Sequence, residues 1–184
     1  MYATSDFRNG LKILLDGTPF EIVYFQHVKP GKGGAFVRTK LRNLLGGNVL
    51  EKTFRASEKV GRPDISEVEM QFLYSDEVFH FMDMESYDQI PVTPEVIGDA
   101  RLFLKENTVA RILKFNGEVI SIELPAFMIL KIGQCEPGVK GDTVSGATKL
   151  ATLETGARVQ VPLFLNEGDL IKVDTRTGDY IERA

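Results

Sequence analysis

The sequence predicts an all-β protein built from three small domains. Short runs of β-branched and aromatic residues alternate with turn residues about every ten positions along much of the 184-residue chain. A helical pattern is confined to one segment, 94–104. A Gly- and Pro-containing stretch, "GRPDI" (61–65), indicates a linker where the charge changes sign. The predicted domains are therefore 1–64, 65–128 and 129–184, near the lower end of domain sizes.

Each predicted domain has its own set of strand-like runs. In the first they are "LKILL" (11–15), "FEIVYFQHV" (20–28), "AFVRTKL" (35–41) and "VLEKTFRA" (49–56). In the second they are "VEMQFLYS", "VFHFMDM", "ARILKFN" and "VISIELP", with a short helix predicted for "PEVIGDARLFL" because Pro94 suits a helix start. In the third they are "MILKIGQCE", "KLATLET", "RVQVPLFL", "LIKVDTR" and "DYIER", typical of a small barrel or sandwich.

Composition indicates a cytoplasmic protein with no membrane association. Hydrophobic residues make up 43% of the chain and the mean hydropathy is -0.08. No apolar run approaches the roughly 20 residues that span a bilayer, and "MYATSDFRNG" lacks the basic and apolar regions of a signal peptide. Cys135 is the only cysteine, so no internal disulfide forms and a reducing compartment is expected.

Charge is distributed unevenly along the chain. The net charge of -4 is the sum of +5 in residues 1–64, -8 in residues 65–128 and -1 in residues 129–184. A basic first domain beside an acidic second one indicates that the first domain faces a polyanion. An acidic surface that only aids solubility is the alternative for the second domain.

The stretch "VKPGKGGAF" (28–36) predicts a hairpin tip that presents Lys32. It matches neither a Walker A loop nor a dinucleotide fingerprint, since Gln26 and Phe36 stand where those motifs need glycine. Pro30 fixes its φ near -65°, and the neighbouring glycines tolerate the positive φ of tight turns. An ordinary glycine turn with a solvated lysine is the alternative.

The strand after the tip carries a row of cations. In "AFVRTKLRNL" the even positions include Arg38, Lys40 and Arg42, whereas the odd positions are apolar or Thr. A period of two sends these sets to opposite faces of a sheet. Cationic rows attract phosphate without reading sequence, so the tip and this row together predict an RNA-facing hairpin. A solvated polar face remains the alternative.

The sequence gives no positive reason to expect an enzyme, a cofactor or a metal. His27 and His80 are the only histidines, and with one cysteine they provide no catalytic triad and no metal-ligand spacing. Cys135 is expected to pack rather than react. A small β-barrel enzyme with a carboxylate site that the sequence does not reveal stays open as an alternative.

Two stretches identify the chain as similar to the bacterial translation elongation factor P family. "KPGKGGAF" followed by "VRTKLRNLLGGNVLEKTFRA" looks like the first domain of that family. "KLATLETGARVQVPLFLNEG" (149–168) matches the family's C-terminal pattern K-x-A-x4-G-x2-[LIV]-x-V-P-x2-[LIV]-x2-G. The matching positions are Lys149, Ala151, Gly156, Val159, Val161, Pro162, Leu165 and Gly168.

This resemblance implies a fold and a function. The fold would be an SH3-like, KOW-type first domain and two OB-fold domains in an L-shaped arrangement like that of tRNA. The function would be to bind the 70S ribosome between the P and E sites and to stimulate peptide bond formation at polyproline stalls. It would do so by placing the CCA end of the P-site peptidyl-tRNA or initiator tRNA, which is positional help to the ribosome's own catalysis. We expect a monomer.

The resemblance also assigns residues. Lys32 matches the position that a lysine-modifying enzyme extends, by β-lysylation or another alkyl group. Two groups in the third domain match positions near the E-site mRNA codon (Gly141, Asp142 and Thr143) and near small-subunit RNA (Tyr180 and Arg183). The predicted RNA-binding residues are Lys29, Pro30, Gly31, Lys32, Gly33, Arg38, Lys40, Arg42, Gly141, Asp142, Thr143, Tyr180 and Arg183. The alternative is a general RNA-binding tRNA mimic that needs no modified lysine.

Overall fold

The protein is all-β, as predicted. The computed structural model describes residues 1–137 and 146–184, and strands make up most of that part of the chain. The strands of the first third are β1 (Tyr2–Ala3), β2 (Lys12–Leu15), β3 (Thr18–Val28), β4 (Phe36–Asn43), β5 (Val49–Arg55) and β6 (Lys59–Val60). Those of the middle are β7 (Ile65–Ser75), β8 (Phe79–Asp83), β9 (Gln89–Val92), β10 (Val109–Phe115) and β11 (Glu118–Glu123). The last are β12 (Phe127–Cys135), β13 (Thr148–Leu153), β14 (Arg158–Pro162), β15 (Leu170–Asp174) and β16 (Tyr180–Arg183).

These strands form four sheets in the described part of the chain. A four-stranded sheet has the order β2-β3-β4-β5, and β1 pairs with β6 in a two-stranded sheet. Two five-stranded sheets have the orders β11-β10-β7-β8-β9 and β14-β13-β12-β15-β16. The four-stranded sheet is a meander of antiparallel neighbours, which is the arrangement that short connecting turns produce.

The one predicted helix is shorter than expected. An α-helical turn spans Pro94–Ile97, with Pro94 at its start, and a 3-10 segment continues over Gly98–Leu102. The prediction of a single helix over 94–104 was therefore wrong. Gly98 has φ 53 and ψ -136, a conformation outside the α-helical region, and it ends the α-helix after one turn.

The stretch 61–65 is packed and does not form a loose linker. Gly61 forms an isolated bridge with Leu14, donating to Leu14 O at 3.2 Å and accepting from Leu14 N at 2.9 Å. A Cβ on Gly61 would lie 3.0 Å from Leu14 Cβ and 3.2 Å from Leu14 O, so a larger residue there would require Leu14 to shift by a few tenths of an ångström. Pro63 is buried, and Asp64 O accepts from Asn116 N at 3.0 Å. The Gly and Pro are visible in the sequence, but these contacts are not.

The described chain divides into two compact units. One contains residues 1–67 and 113–121, and the other contains 68–112 and 122–184. The three-domain division at 64 and 128 stays a prediction. Among the described residues, no helix has the length and apolar character to cross a bilayer.

The first unit has a core of alternating strand residues. Phe7 and Phe54 meet edge to face with ring centroids 5.3 Å apart, an arrangement that aromatic pairs favour. The buried core residues are Phe7, Leu11, Ile13, Phe20, Ile22, Val37, Leu41, Phe54 and Val60. This core fixes which face of β4 points outward.

The second unit has a core in which the family-pattern residues are buried. Ala151, Val159, Val161 and Leu165 are each 2% exposed or less. Gly156 and Gly168 have φ of +90° and +88°, as turn glycines do. This stretch therefore consists of turn glycines and alternating apolar strand residues.

Phe103 is part of that same core although it follows the 3-10 segment. It is 9% exposed and lies in one cluster with residues of β12 to β15. Thr155 donates a hydrogen bond from Oγ1 to Leu102 O at 2.5 Å, and Lys105 pairs with Glu154 at 3.0 Å. Partial burial would raise the pKa of Glu154, but hydrogen bonds from Lys131 N and Lys105 outweigh it and lower the pKa. The segment around Phe103 is thus attached to the last strands by one core side chain and two polar contacts.

Candidate nucleic-acid interface

The tip is an exposed connection between two paired strands. Val28 and Phe36 form the last pair of the β3–β4 ladder, and residues 29–35 join them. Residues 29–34 are all exposed. Ala56 donates its backbone N–H to Ala35 O at 3.0 Å, which fixes the base of the tip to the chain after β5.

Only one tip glycine has a positive φ. Gly33 has φ +109, and Pro30 Cγ lies 3.9 Å from where its Cβ would be. Gly31 and Gly34 have φ outside the left-handed region, and a Cβ added to either would have no atom within 4 Å. The expected use of positive φ therefore applies at Gly33. Gly31 and Gly34 leave open space on both sides of Lys32.

Lys32 lies exposed in the middle of this connection. Within residues 1–137 and 146–184 it has no hydrogen bond and no ion pair, and the same holds for Lys29. An ammonium without an internal partner keeps its hydrogen-bond donors available for another molecule. The role assigned to Lys32 stays a prediction.

The predicted two-faced strand is confirmed. Along β4, Val37, Thr39 and Leu41 are buried. Arg38, Lys40 and Arg42 alternate with them and are exposed. The core of the first unit holds the first set, so the three cations share the outer face.

Cross-strand pairing places these cations in three rows leading away from the tip. The rows are Gln26–Arg38–Thr53, Tyr24–Lys40–Glu51 and Glu21–Arg42–Val49. Residues directly opposite each other in antiparallel strands point to the same face. The outer face therefore contains two carboxylates that the charge of the β4 strand alone did not reveal.

Those carboxylates neutralise the cations to different degrees. Arg42 pairs with Glu21 at 2.5 Å and Lys40 with Glu51 at 3.7 Å. Arg38 has no carboxylate partner in the described chain; its guanidinium lies 5.5 Å from the Phe36 ring centroid. The predicted row of three cations is present, but their charges are neutralised unequally, and Arg38, the one nearest the tip, keeps the most available charge.

Tyr24 and Gln26 belong to this face and were missed in the sequence. The β3–β4 register shifts between Ile22 and Tyr24, so Val23 is an extra residue in β3. Ile22 is fully buried opposite Leu41, whereas Tyr24 is 46% exposed opposite Lys40. A bulge of this kind re-aims the side chains that follow it. Tyr24, Gln26, Arg38 and Lys40 line a depression of about 340 Å³ with Thr39, Glu51, Lys52 and Thr53.

The other predicted RNA-binding residues lie elsewhere or outside the described residues. Tyr180 is half-buried against the core of the second unit, and Arg183 pairs with Asp169 at 3.0 Å. Both lie on β16, which pairs with β15. Gly141, Asp142 and Thr143 fall within 138–145, outside the described residues.

The histidines have structural partners. His80 stacks on Tyr74 at 4.3 Å and hydrogen-bonds Asp76 Oδ2 at 3.0 Å, while His27 contacts Phe25 edge to face. The hydrogen bond that the Val78 backbone N–H donates to Asp76 is the main cause of the lowered pKa of Asp76, and the hydrogen bond with His80 is the second. Across the described ranges, no three His, Cys, Asp or Glu side chains are grouped to hold a metal ion.

Comparison with known proteins identifies three matching family models. They are described as the elongation factor P KOW-like domain over residues 3–60, the elongation factor P OB domain over 65–122 and elongation factor P, C-terminal, over 128–183. The predicted KOW-type and OB-fold classes are confirmed by the first two.

Full-length relatives and solved structures agree with these models. Elongation factor P from Maridesulfovibrio salexigens is 60% identical over 184 residues, covering 100% of this chain and 99% of the relative. Elongation factor P from Natranaerobius thermophilus is 59% identical over 185 residues, covering 100% and 98%. A solved structure of eukaryotic translation initiation factor 5A from Methanococcus jannaschii has a TM-score of 0.54 at 25% identity, covering 67% of this chain and 91% of that one.

Proposed function

The chain belongs to the elongation factor P family of translation elongation factors, and from this premise we propose that it stimulates peptide bond formation on ribosomes stalled at consecutive prolines. It binds between the P and E sites of the 70S ribosome and positions the CCA end of the P-site tRNA. The single observation that carries the proposal is the exposed amine of Lys32 at the end of a hairpin, which has no hydrogen bond or ion pair among the described residues and has the open glycines Gly31 and Gly34 near it.

The hairpin supports a positional role. An ordered β3–β4 ladder continues up to Val28 and Phe36, so the tip is short and its base is fixed. Gly31 and Gly34 add no side chain that would keep an RNA backbone away from Lys32. Ordering one reactant accelerates a reaction by lowering the entropy lost in its transition state, without chemistry by the factor.

Lys32 is the residue that we propose is modified. An unmodified lysine offers one ammonium on a flexible four-carbon stem. A β-lysyl or other alkyl extension by a lysine-modifying enzyme lengthens this arm and brings its polar end farther from the tip. The exposure of Lys32 is what such an enzyme requires of its substrate.

The remaining contacts are proposed on the same basis. The outer face of β4 approaches the tRNA backbone through Arg38, Lys40 and Arg42, whose charges attract phosphate. Residues 141–143 are proposed to approach the E-site mRNA codon, and Tyr180 and Arg183 small-subunit RNA.

The test compares Lys32→Ala and Lys32→Arg with Lys59→Ala, a change at another exposed lysine of the same unit without an ion pair in the described chain. The readout is synthesis of a Pro-Pro-Pro reporter in a reconstituted translation system, using protein made in its native cell. We expect both Lys32 variants to lose rescue, because arginine keeps the charge but removes the amine, and Lys59→Ala to keep it. All three should unfold at the wild-type temperature, since no residue involved is buried.

Two outcomes would contradict the proposal. Full rescue by Lys32→Ala would leave a general RNA-binding protein that needs no modified lysine. An unshifted intact mass for the native-cell protein, with an unshifted peptide across residues 28–38, would remove the modification from the proposal.

A further inference from the structure

The depression on the outer face of the β3–β4–β5 sheet has the chemistry of a nucleotide site. It holds about 340 Å³ and is lined by polar side chains with one aromatic ring, that of Tyr24. Tyr24 is 46% exposed, and neighbouring positions supply an amide from Gln26 and a guanidinium from Arg38. An apolar ligand would find few apolar partners in this lining.

The bulge at Val23 is what creates the site. In a regularly paired strand Tyr24 would lie on the same buried face as Ile22, because strand side chains alternate with a period of two; the unpaired Val23 turns Tyr24 to the outer face instead. A bulge that turns an aromatic side chain onto the same face as a row of cations is consistent with a binding surface.

Arg38 is available for a phosphate. It has no carboxylate partner in the described chain, and the Phe36 ring 5.5 Å away limits its freedom without neutralising it. Lys40, in the next row, is 3.7 Å from Glu51, a distance at which an exposed pair contributes little. Gln26, opposite Arg38, offers both a donor and an acceptor to a base edge.

We propose that Tyr24, Gln26 and Arg38 bind one unpaired nucleotide of RNA, with the base stacked on Tyr24 and the phosphate on Arg38. Aromatic rings beside cations are the means by which proteins bind single-stranded nucleic acid. Tyr24 lies four residues from the end of the ladder at Val28, about 14 Å along the strand at about 3.4 Å per residue. The nucleotide is therefore a different one from that which Lys32 approaches. The proposal deepens the proposed function, on which it rests for the identity of the RNA-facing side.

The test measures affinity for two RNA probes, a single-stranded hexanucleotide and a twelve-base-pair duplex, at several salt concentrations. The variants are Tyr24→Ala, Tyr24→Phe and Arg38→Gln, with Tyr74→Ala as the matched control because Tyr74 is 47% exposed in the other unit. We expect Tyr24→Ala to weaken binding of the hexanucleotide by about 5- to 150-fold, the effect of losing one stacked base. Its salt slope should not change, and Tyr24→Phe should bind as the wild type does.

The other variants separate stacking from charge. Arg38→Gln should lower the salt slope for the single strand by about 0.7, one phosphate contact. Tyr24→Ala should leave duplex binding unchanged, because paired bases present no free face to the ring. Tyr74→Ala should behave as the wild type with both probes.

Three results would overturn the inference. One is an unchanged hexanucleotide affinity for Tyr24→Ala, and another is an equal loss of affinity with the duplex. The third is a loss of hexanucleotide binding by Tyr74→Ala equal to that of Tyr24→Ala. The outcome is independent of the rescue assay. If Tyr24→Ala weakens RNA binding but Lys32→Ala still rescues, only the proposed function is refuted. If Tyr24→Ala leaves RNA binding unchanged but Lys32→Ala loses rescue, only the nucleotide site is refuted.

Discussion

The Arg42 guanidinium lies 2.5 Å from the Glu21 carboxylate, whereas Arg38, two rows nearer the tip, has no carboxylate partner in the described residues. The two arginines share one strand and one face but differ in the charge they can offer. A phosphate must compete with the Glu21 carboxylate for Arg42, whereas no carboxylate of the described residues competes for Arg38.

This difference predicts unequal effects on ribosome binding. We expect Arg38→Gln to reduce the dependence of log affinity on log salt by about 0.7–0.9, and Arg42→Gln to reduce it by less. Glu21→Gln should raise affinity at low salt because it releases Arg42. The measurement is equilibrium binding to 70S ribosomes between 50 and 200 mM salt, roughly the range over which such contacts weaken. Equal losses for the two arginine variants would contradict the charge gradient.

The close approach of Leu14 and Gly61 predicts a stability cost for any side chain at position 61. A Cβ there would lie 3.0 Å from Leu14 Cβ and 3.2 Å from Leu14 O, so the bridge must open or shift. We expect Gly61→Ala to lower the free energy of unfolding by about 1–3 kcal/mol, as overpacking does. Urea denaturation measures it.

The matched control is Gly34→Ala. No atom lies within 4 Å of a Cβ at Gly34, and its φ is not in the left-handed region. Its urea midpoint should equal that of the wild type or rise slightly, since alanine restricts the unfolded chain. A Gly61→Ala protein as stable as Gly34→Ala would show that the bridge is not tight.

The pairing of Asp174 with Arg176 predicts a specific pH dependence of stability. Asp174 accepts from Arg176 Nη2 at 2.7 Å and Nε at 3.0 Å, and from the Arg176 backbone N–H at 2.9 Å. The side-chain hydrogen bonds from Arg176, followed by the backbone one, lower the pKa of Asp174 from 3.8 to about 2. A folded-state pKa below the unfolded one means stability that is present above about pH 4 and is lost as pH falls toward 2.

Urea unfolding at pH 5, 3.5 and 2.5 tests this. The wild type should lose more stability over that range than Asp174→Asn, which cannot titrate at this position. Arg176→Gln should resemble Asp174→Asn in its pH slope, because it removes the main cause of the lowered pKa. If both variants lose stability with falling pH as steeply as the wild type does, the loss of stability in acid comes from other carboxylates.

Some of the fold and site could be predicted from local sequence because their causes are local. The alternation in β4 follows from the period of a strand, and the turn at Gly33 follows from a residue without a Cβ. The helix at Pro94 was extended too far because the helical pattern continues past Gly98, whose φ of 53 ends it.

The missed features depend on partners distant in sequence. Tyr24 reaches the outer face through a bulge that appears only when β3 is registered against β4. Glu21 and Glu51 neutralise cations that look equivalent when β4 is read alone. Such pairings are set by tertiary structure, so a single-strand pattern gives the faces of a strand but not the charge available on them.

The burial of Phe103 in the core of the last strands predicts that the middle and last thirds of the chain depend on each other for stability. Its ring is 9% exposed within the core formed by β12 to β15, and Gly178 lies close enough that a Cβ there would be 3.6 Å from Phe103 Cζ. We expect Phe103→Ala to lower the free energy of unfolding by about 3–5 kcal/mol, through the lost burial and the cavity left behind. The neighbouring Leu102→Ala, at a residue 37% exposed, should cost far less.

Hydrogen exchange distinguishes the mechanism of that loss. If Phe103 completes the core of the last strands, Phe103→Ala should accelerate exchange of amides in β12 and β15 although neither strand was changed. Thr155→Val, which removes only the hydrogen bond to Leu102 O, should accelerate exchange less and mainly near its own turn. Faster exchange confined to residues 94–104 would show that the last strands form a complete core without Phe103.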